Sequence, residues 1–505
     1  MGIIIRQSIK NSVVTYVGVA IGTLNVLFLY NKFLTTEQLG LYTALTSFPL
    51  VFAGFAHLGT PHVGVRFFNQ FADSERKHNG FFGYLLLAPL FGFITFLLVY
   101  MGLKPIFNTL YSENSPLLVN YYWTFPIITF LLIYQTILEA YSRVHLRIVV
   151  PAIVREIFLK ATNSVLALLF GFQYITFNQL ILGIIVAYLL AVCFLLIYIK
   201  ILGKFYLKLD FSFIRKPIFK EMYQYGLWTM LGGATATILP HIEKLMLPAY
   251  TGGLERTAIF NIALSIGLVI AIPKNAIASI SDPLLAESWR NNDLEHVGEI
   301  YQKSALNLLI VGTFLFLGIW SNIDSIFQII PHSEIYQKGK FVVLMVGLYS
   351  LFDMATGLNS EILKNSPYFR YDLLLYVVRF VILLVANLIL IPLYSYNGAA
   401  LAMLISGVVY NLIKFIFIKQ KINLQPFGNH TVKVILLGIF TYGITLILPS
   451  KIHGMTLSHA MNSILNITIK SITIIVIFGG GVLWLKVSED LNRTIETLFR
   501  KLIKK

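Results

Sequence analysis

Apolar runs of roughly twenty residues follow one another from Asn11 to about Lys486, divided by short polar turns. The hydrocarbon core of a bilayer is about 30 Å thick and a helix rises about 1.5 Å per residue, so each run can cross once. A backbone in lipid must satisfy its own hydrogen bonds, and at this run length that means helices. The pattern predicts about fourteen spans, near 11–31, 40–65, 80–103, 118–141, 150–171, 177–199, 221–247, 255–281, 300–320, 340–360, 371–391, 397–418, 431–449 and 459–485. The expected fold is therefore all-α and polytopic, with little chain left for a soluble domain. Such a chain is built to move something across a bilayer or partway through it.

Composition agrees. Of 505 residues, 57% are hydrophobic and 12% charged, about half the charged share of a soluble domain. Cys193 is the single cysteine, so no intrachain disulfide can form. The segment MGIIIRQSIKNS leads straight into the first span without a small-residue cleavage site, which reads as a retained helix. No metal-ligand spacing, phosphate-cradling glycine loop or Ser/His/Asp set stands out, so neither a cofactor nor an enzyme activity is expected.

The net charge of +16 sits mostly on one side. With the N-terminus placed in the cytoplasm, cytoplasmic segments carry about 25 of the 39 Lys and Arg, and the opposite loops about six. Lys200, Lys204, Lys208, Arg215, Lys216 and Lys220 belong to the first group; Lys32, Lys104 and Arg256 belong to the second. The positive-inside rule then puts both termini in the cytoplasm. Topology alone explains the basic excess. Nucleic-acid binding would need a soluble basic surface, and the chain offers none.

The polar connection Lys200–Lys220 splits the chain after the sixth span, and the two sides look alike. YNKFLTTEQLGLY closes span one, EKLMLPAYTGGLERTAIF closes span seven, and Tyr42 to Arg66 spans as many positions as Phe260 to Leu284. An even repeat of six spans relates the halves by an axis along the membrane normal, a transporter arrangement with the passenger site between them. The expected division is an N-terminal six-helix lobe at 1–205, a second at 206–421, and two extra spans with a basic tail at 422–505. That tail repeats apolar residues from Leu491 to Ile503, with Arg493, Arg500 and Lys501 on its other face. It reads as an amphipathic helix on the anionic leaflet or as a solvated tail.

Eight basic residues fall inside spans. Lys414, Lys433 and Lys244 lie near span ends, where their heads can snorkel to water. Arg155, Lys160, Lys274, Arg379 and Lys470 lie deeper, where a central cation costs about 2.5–3.5 kcal/mol. Acidic residues at such depth are fewer: Glu156, Glu243 and Asp353, with Glu139 near a span end. The surplus predicts a positive, water-filled cavity suited to a phosphate or diphosphate passenger. Simpler readings exist for several of these residues. Glu156 and Lys160 are four apart and can pair on one helix face; Glu243 and Lys244 can anchor at the interface. The repeat sets His57 beside Asn275, next to Lys274, although a buried, hydrogen-bonded histidine is the simpler reading there. Gly18 and Gly22 form a small-xxx-small pair for close packing.

Two segments carry a family resemblance. HIEKLMLPAYTGGLERTAIFNIALSIGLVIAIP with DPLLAESWRNNDLEHVGEIYQKS resembles the seventh and eighth helices of oligosaccharide-lipid flippases. FLTTEQLGLYTALTSF and LGTPHVGVRF, which ends in Arg66, resemble the corresponding first-half signature. The chain is thus similar, over its whole length, to Wzx-type flippases of the multidrug/oligosaccharidyl-lipid/polysaccharide exporter (MOP) superfamily. Glu243 stands where relatives often carry Asp. The resemblance implies a bacterial inner-membrane flippase for an undecaprenyl-diphosphate-linked oligosaccharide, with polysaccharide polymerase machinery as a candidate partner. The candidate passenger contacts, taken from the charges and the repeat above, are Arg155, Lys160, Lys274, Arg379, Lys470, His57 and Arg66. Glu156, Glu243, Lys244 and Asp353 would serve coupling or charge pairing. The rivals are the lipid II flippase branch, a cation-coupled multidrug exporter of the same superfamily, and a membrane glycosyltransferase or O-antigen ligase. A cation exporter wants acidic sites, and a ligase needs a sizeable extracytoplasmic loop.

Overall fold

A computed structural model describes residues 2–73, 77–207, 216–448, 459–489 and 492–493. Regular structure among the described residues is all helical, with no strand among them. The centre of the Lys200–Lys220 connection, residues 208–215, and nearly all of the basic tail lie outside the described residues. The chain folds as two compact units, Met1–Ala258 and Ile259–Lys505.

The first unit contains α1 (Gly2–Leu24), α2 (Thr36–Ala56), α3 (Thr60–Phe71), α4 (Phe81–Gly102), α5 (Thr124–Val144), α6 (Val149–Ile153), α7 (Leu159–Gly171), α8 (Phe177–Ile201) and α9 (Lys216–Ile238). Local chemistry starts these helices. Thr35 and Gln38 form a reciprocal capping box at α2, and Thr176 and Gln179 do the same at α8. Gly59 takes a left-handed φ of 70° between α2 and α3, a conformation that costs glycine nothing. A Cβ there would strike the backbone of Gly226 in α9, so the LGTP turn is also a close-packing point. Gly18 has the same role in α1: a Cβ would lie 2.6 Å from Cβ of Glu156. Gly22 faces the Lys160 side chain.

The second unit contains α10 (Gly253–Gly267, which starts before the division), α11 (Ile272–Arg290), α12 (Leu294–Trp320), α13 (Lys340–Ala355), α14 (Asn359–Asn365), α15 (Phe369–Ile422), α16 (Asn429–Ile447), α17 (His459–Ile474) and α18 (Gly480–Trp484). The 54-residue α15 is a hairpin. Ser395 has φ 56° and ψ −136°, and the pairs Asp372–Lys414, Tyr376–Tyr410 and Tyr368–Phe417 run antiparallel across it.

Among the described residues, ten helices are long and apolar enough to cross a membrane, or eleven if one bent pair counts as a span. The expected count was about fourteen. The two spans expected at 371–391 and 397–418 are both present, as the antiparallel arms of the α15 hairpin, which counts once in that total. The segment expected at 150–171 carries three charges, Arg155, Glu156 and Lys160, within one span length and so falls outside the count; Arg155 and Glu156 sit on a π-helical turn, Val154–Phe158. α9 begins with Lys216, Lys220 and Glu221 and falls short in hydropathy.

Just beyond the end of α5, His145 packs edge-on against Phe68 and Tyr141, with ring centroids 4.9 and 4.8 Å away. Burial, reinforced by Lys204 and His78, pushes its pKa down to about 4. An ordinary histidine titrates near 6.5, so between about 6.5 and 4 the unfolded chain binds a proton that the folded chain refuses. Stability from this group is complete above that window and is lost as pH falls through it. The melting temperature of the detergent-solubilised protein should therefore drop between pH 7 and pH 4.5, and by less in His145→Phe.

Candidate functional site

Four of the five cations expected at depth gather into two clusters, one in each unit. In the first unit, Arg155 and Glu156 occupy the π turn and Lys160 opens α7. Arg155 Nη1 lies 2.6 Å from Glu139 Oε2 in α5, and its Nε lies 3.0 Å from Glu156 Oε1. Lys160 Nζ reaches Glu156 Oε2 at 2.8 Å and donates to the Gly18 carbonyl at 3.0 Å. Two glycines of α1 thus serve the lysine: Gly22 gives its side chain room, and Gly18 gives it an acceptor. Asn25 donates to the Lys160 carbonyl and accepts from Ser164. Two cations meet two carboxylates here, and Arg155 keeps 46% of its side chain exposed.

In the second unit, Lys274 follows Pro273 in the first turn of α11. Its Nζ is 2.7 Å from Asp353 Oδ2 and 3.1 Å from the Asp353 carbonyl. Asn411 donates to the other Asp353 oxygen at 3.1 Å, and its own carbonyl accepts from Asn359 and Thr356. Tyr349 lies one turn before Asp353 on α13 and accepts a hydrogen bond from Arg379 at 2.7 Å. The Arg379 guanidinium is held between the rings of Tyr349 and Tyr410, each 5.2 Å away. Arg379 is buried, and its Nε–H has no partner among the described residues. A buried guanidinium with an unused donor is a ready anion contact.

Sequence reasoning missed part of this cluster. Lys414 does not snorkel: its side chain is fully buried, 2.6 Å from Asp372 and 2.7 Å from Ser360. The pairing of residues across the α15 hairpin is a tertiary fact, and no helical spacing announces it. Asn411, Tyr349 and Tyr410 are ordinary span residues in sequence and became visible only through their neighbours.

The remaining candidates sit elsewhere. His57 is buried and accepts from the Gly59 N–H at 3.0 Å, while its carbonyl accepts from Thr60. It stabilises the turn between α2 and α3. Arg66 is exposed near the end of α3 and stacks 4.4 Å over Tyr225. Lys470 donates to the carbonyl of Ser321, the C-cap of α12, where a cation suits the helix dipole. Glu243 is 3% exposed and its neighbour Lys244 is half-buried. Among the described residues, no group of three or more His, Cys, Asp or Glu could hold a metal ion.

Comparison with known proteins decides the family. The model of the polysaccharide biosynthesis protein family matches residues 6–289, more than half of the chain. This chain belongs to the polysaccharide biosynthesis protein family. No curated protein sequence matches it. Its fold is that of MOP superfamily transporters. A lipid II flippase MurJ in an inward closed conformation aligns over 93% of this chain and 98% of its own, with TM-score 0.69 and 12% identity. An inward-facing multidrug resistance MATE transporter of the MOP superfamily aligns over 80% and 94%, with TM-score 0.60 and 15% identity. A MOP superfamily transporter from Pyrococcus furiosus, described as having a binding pocket of reversed polarity, aligns over 83% and 95%, with TM-score 0.55 and 14% identity. At these identities the likeness is one of fold. With its many apolar helices, the chain is a multi-pass membrane protein.

Proposed function

We propose that this protein is a flippase that turns an undecaprenyl-diphosphate-linked oligosaccharide from the cytoplasmic to the periplasmic leaflet of a bacterial inner membrane by alternating access. The observation that carries this reading is the presence of two largely enclosed cations, Lys274 and Arg379, on a fold shared with a lipid II flippase in a chain of a polysaccharide biosynthesis family. Lys274 has a partner it can exchange, since a diphosphate can replace the Asp353 carboxylate. Arg379 holds an unused donor. A diphosphate supplies acceptors for both, and charge-assisted bonds of this kind are about twice as strong as neutral ones.

A cationic passenger fits poorly. The carboxylates it would need, Glu139, Glu156 and Asp353, are already engaged by Arg155, Lys160 and Lys274. The lipid II branch is the second reading, favoured by the fold shared with MurJ. Expression in a strain lacking its own oligosaccharide flippase distinguishes the two: restored surface glycan supports the proposal, and rescue of a lipid II flippase defect alone supports the second reading.

Orientation is tested separately, in a Cys193→Ser background. Cysteine introduced at Ser212 should resist an impermeant thiol reagent in intact cells, and cysteine at Ser112 should react. The opposite pattern would overturn the topology.

A further inference from the structure

A groove on the first unit includes none of the residues of the two cation clusters in its lining. Leu58, Val63, Leu87, Ala88, Phe91 and Met222 line it, and its volume is about 480 Å³, within the range of ligand sites. It opens outward, for Phe91 is 70% exposed and Phe219 50%. Phe91 stands in a span, so its exposed face meets lipid.

The groove has a polar end and an apolar end. α9 runs antiparallel to α2 and α3: His241 meets Ser47, Gly226 meets Gly59, and Tyr225 lies under Arg66. The start of α9 therefore lies at the same membrane face as the end of α3 and the start of α4. At that face the groove is walled by Tyr84, Phe219 and Tyr223, with exposed Lys216 and Lys220 in the first turns of α9. Lys216, Lys220 and Tyr223 follow helical spacing and share a side. From Tyr84 the groove descends along α4 to Phe91, seven residues or about 10 Å, a third of the hydrocarbon core.

An apolar trough entering the bilayer from a pair of exposed lysines matches an amphiphile with an anionic head. We propose that this groove holds an acyl chain of an anionic phospholipid whose phosphate is drawn by Lys216 and Lys220. The lipid belongs to the leaflet at the basic face, and the site is independent of which passenger is carried. Its occupant would fill the gap between α4 and α9 and fix the first turns of α9, next to the Lys200–Lys220 connection.

The test is photolabelling of the full-length protein with phosphatidylglycerol carrying a diazirine in one acyl chain. Adducts should map to 84–91 and 219–223. Each lysine near an anionic surface is worth about fivefold, so the phosphatidylcholine analogue should label these segments about 25-fold less. Lys216→Gln with Lys220→Gln should remove that preference without lowering the melting temperature, because both positions are exposed. Ala88→Trp should suppress labelling by either lipid. Adducts confined to other segments, equal labelling by the two lipids, or a preference that survives in K216Q/K220Q would overturn the proposal. Displacement of the probe by an equimolar amount of undecaprenyl phosphate would make the groove a carrier site and would overturn it too. The lysine variant reads out even if A88W fails to accumulate.

Discussion

Lys274→Gln combined with Asp353→Asn yields a protein that folds and reaches the membrane but translocates its passenger at least about tenfold more slowly. The double change is the informative one. Removing Lys274 alone leaves the Asp353 carboxylate without its partner, and breaking a buried pair costs about 3–5 kcal/mol. This pair is 11% and 20% exposed, so the lower end applies. Loss of activity in K274Q would then confuse misfolding with lost contact. In K274Q/D353N the neutral partners can still hydrogen-bond, and Asn411 still has an acceptor. If Lys274 exists to neutralise Asp353, the double variant transports normally. If Lys274 leaves Asp353 to hold a diphosphate, the double variant folds and stays inactive. A lost charged hydrogen bond is worth about 1.5–3 kcal/mol, or roughly ten- to hundredfold in rate. Membrane accumulation and melting temperature measure the first property, and surface-glycan complementation measures the second.

Lys414→Ala has the largest expected effect on stability. The ammonium group is fully buried and bonds to Asp372 at 2.6 Å and Ser360 at 2.7 Å, with the Tyr410 ring 4.3 Å away. Truncation opens a cavity and leaves Asp372 facing the hairpin interior uncompensated, a loss of about 3–5 kcal/mol. Lys414→Met with Asp372→Leu removes both charges, retains volume and should recover most of that loss, because a buried ion pair seldom beats well-packed apolar residues. Unfolding of the purified protein in detergent, read as a double-mutant cycle, measures the coupling. A Lys414→Ala protein as stable as the parent would contradict the burial.

The all-helical membrane class was legible because its signal is local. Apolar runs of this length allow few alternatives, and the placement of Arg155, Lys160, Lys274 and Arg379 on helices followed from position within the runs. What those charges touch was not legible. Lys274 and Asp353 are 79 residues apart, and Arg155 and Glu139 are 16 apart across a turn. The expected surplus of free cations therefore shrinks on folding, and Arg379 is the deep cation held by tyrosines instead of a carboxylate. The span count differed where polar residues interrupt the apolar pattern, at Arg155, Glu156 and Lys160 and at the charged start of α9, while the Ser395 kink separates the two spans expected there. Gly18 was read correctly as a packing glycine, but its carbonyl as the acceptor for Lys160 could be seen only once α1 lay against the π turn.

The central claim concerns what crosses the membrane. The direct measurement reconstitutes the purified chain into vesicles that contain a fluorescent undecaprenyl-diphosphate oligosaccharide, and follows quenching by an impermeant reductant. Vesicles without protein expose about half of the label. The account predicts that the wild-type protein makes nearly all of the label accessible, and that K274Q/D353N and Arg379→Gln leave the protected half protected. Quenching that stops at half with the wild-type protein, or proceeds equally fast with both variants, would contradict it.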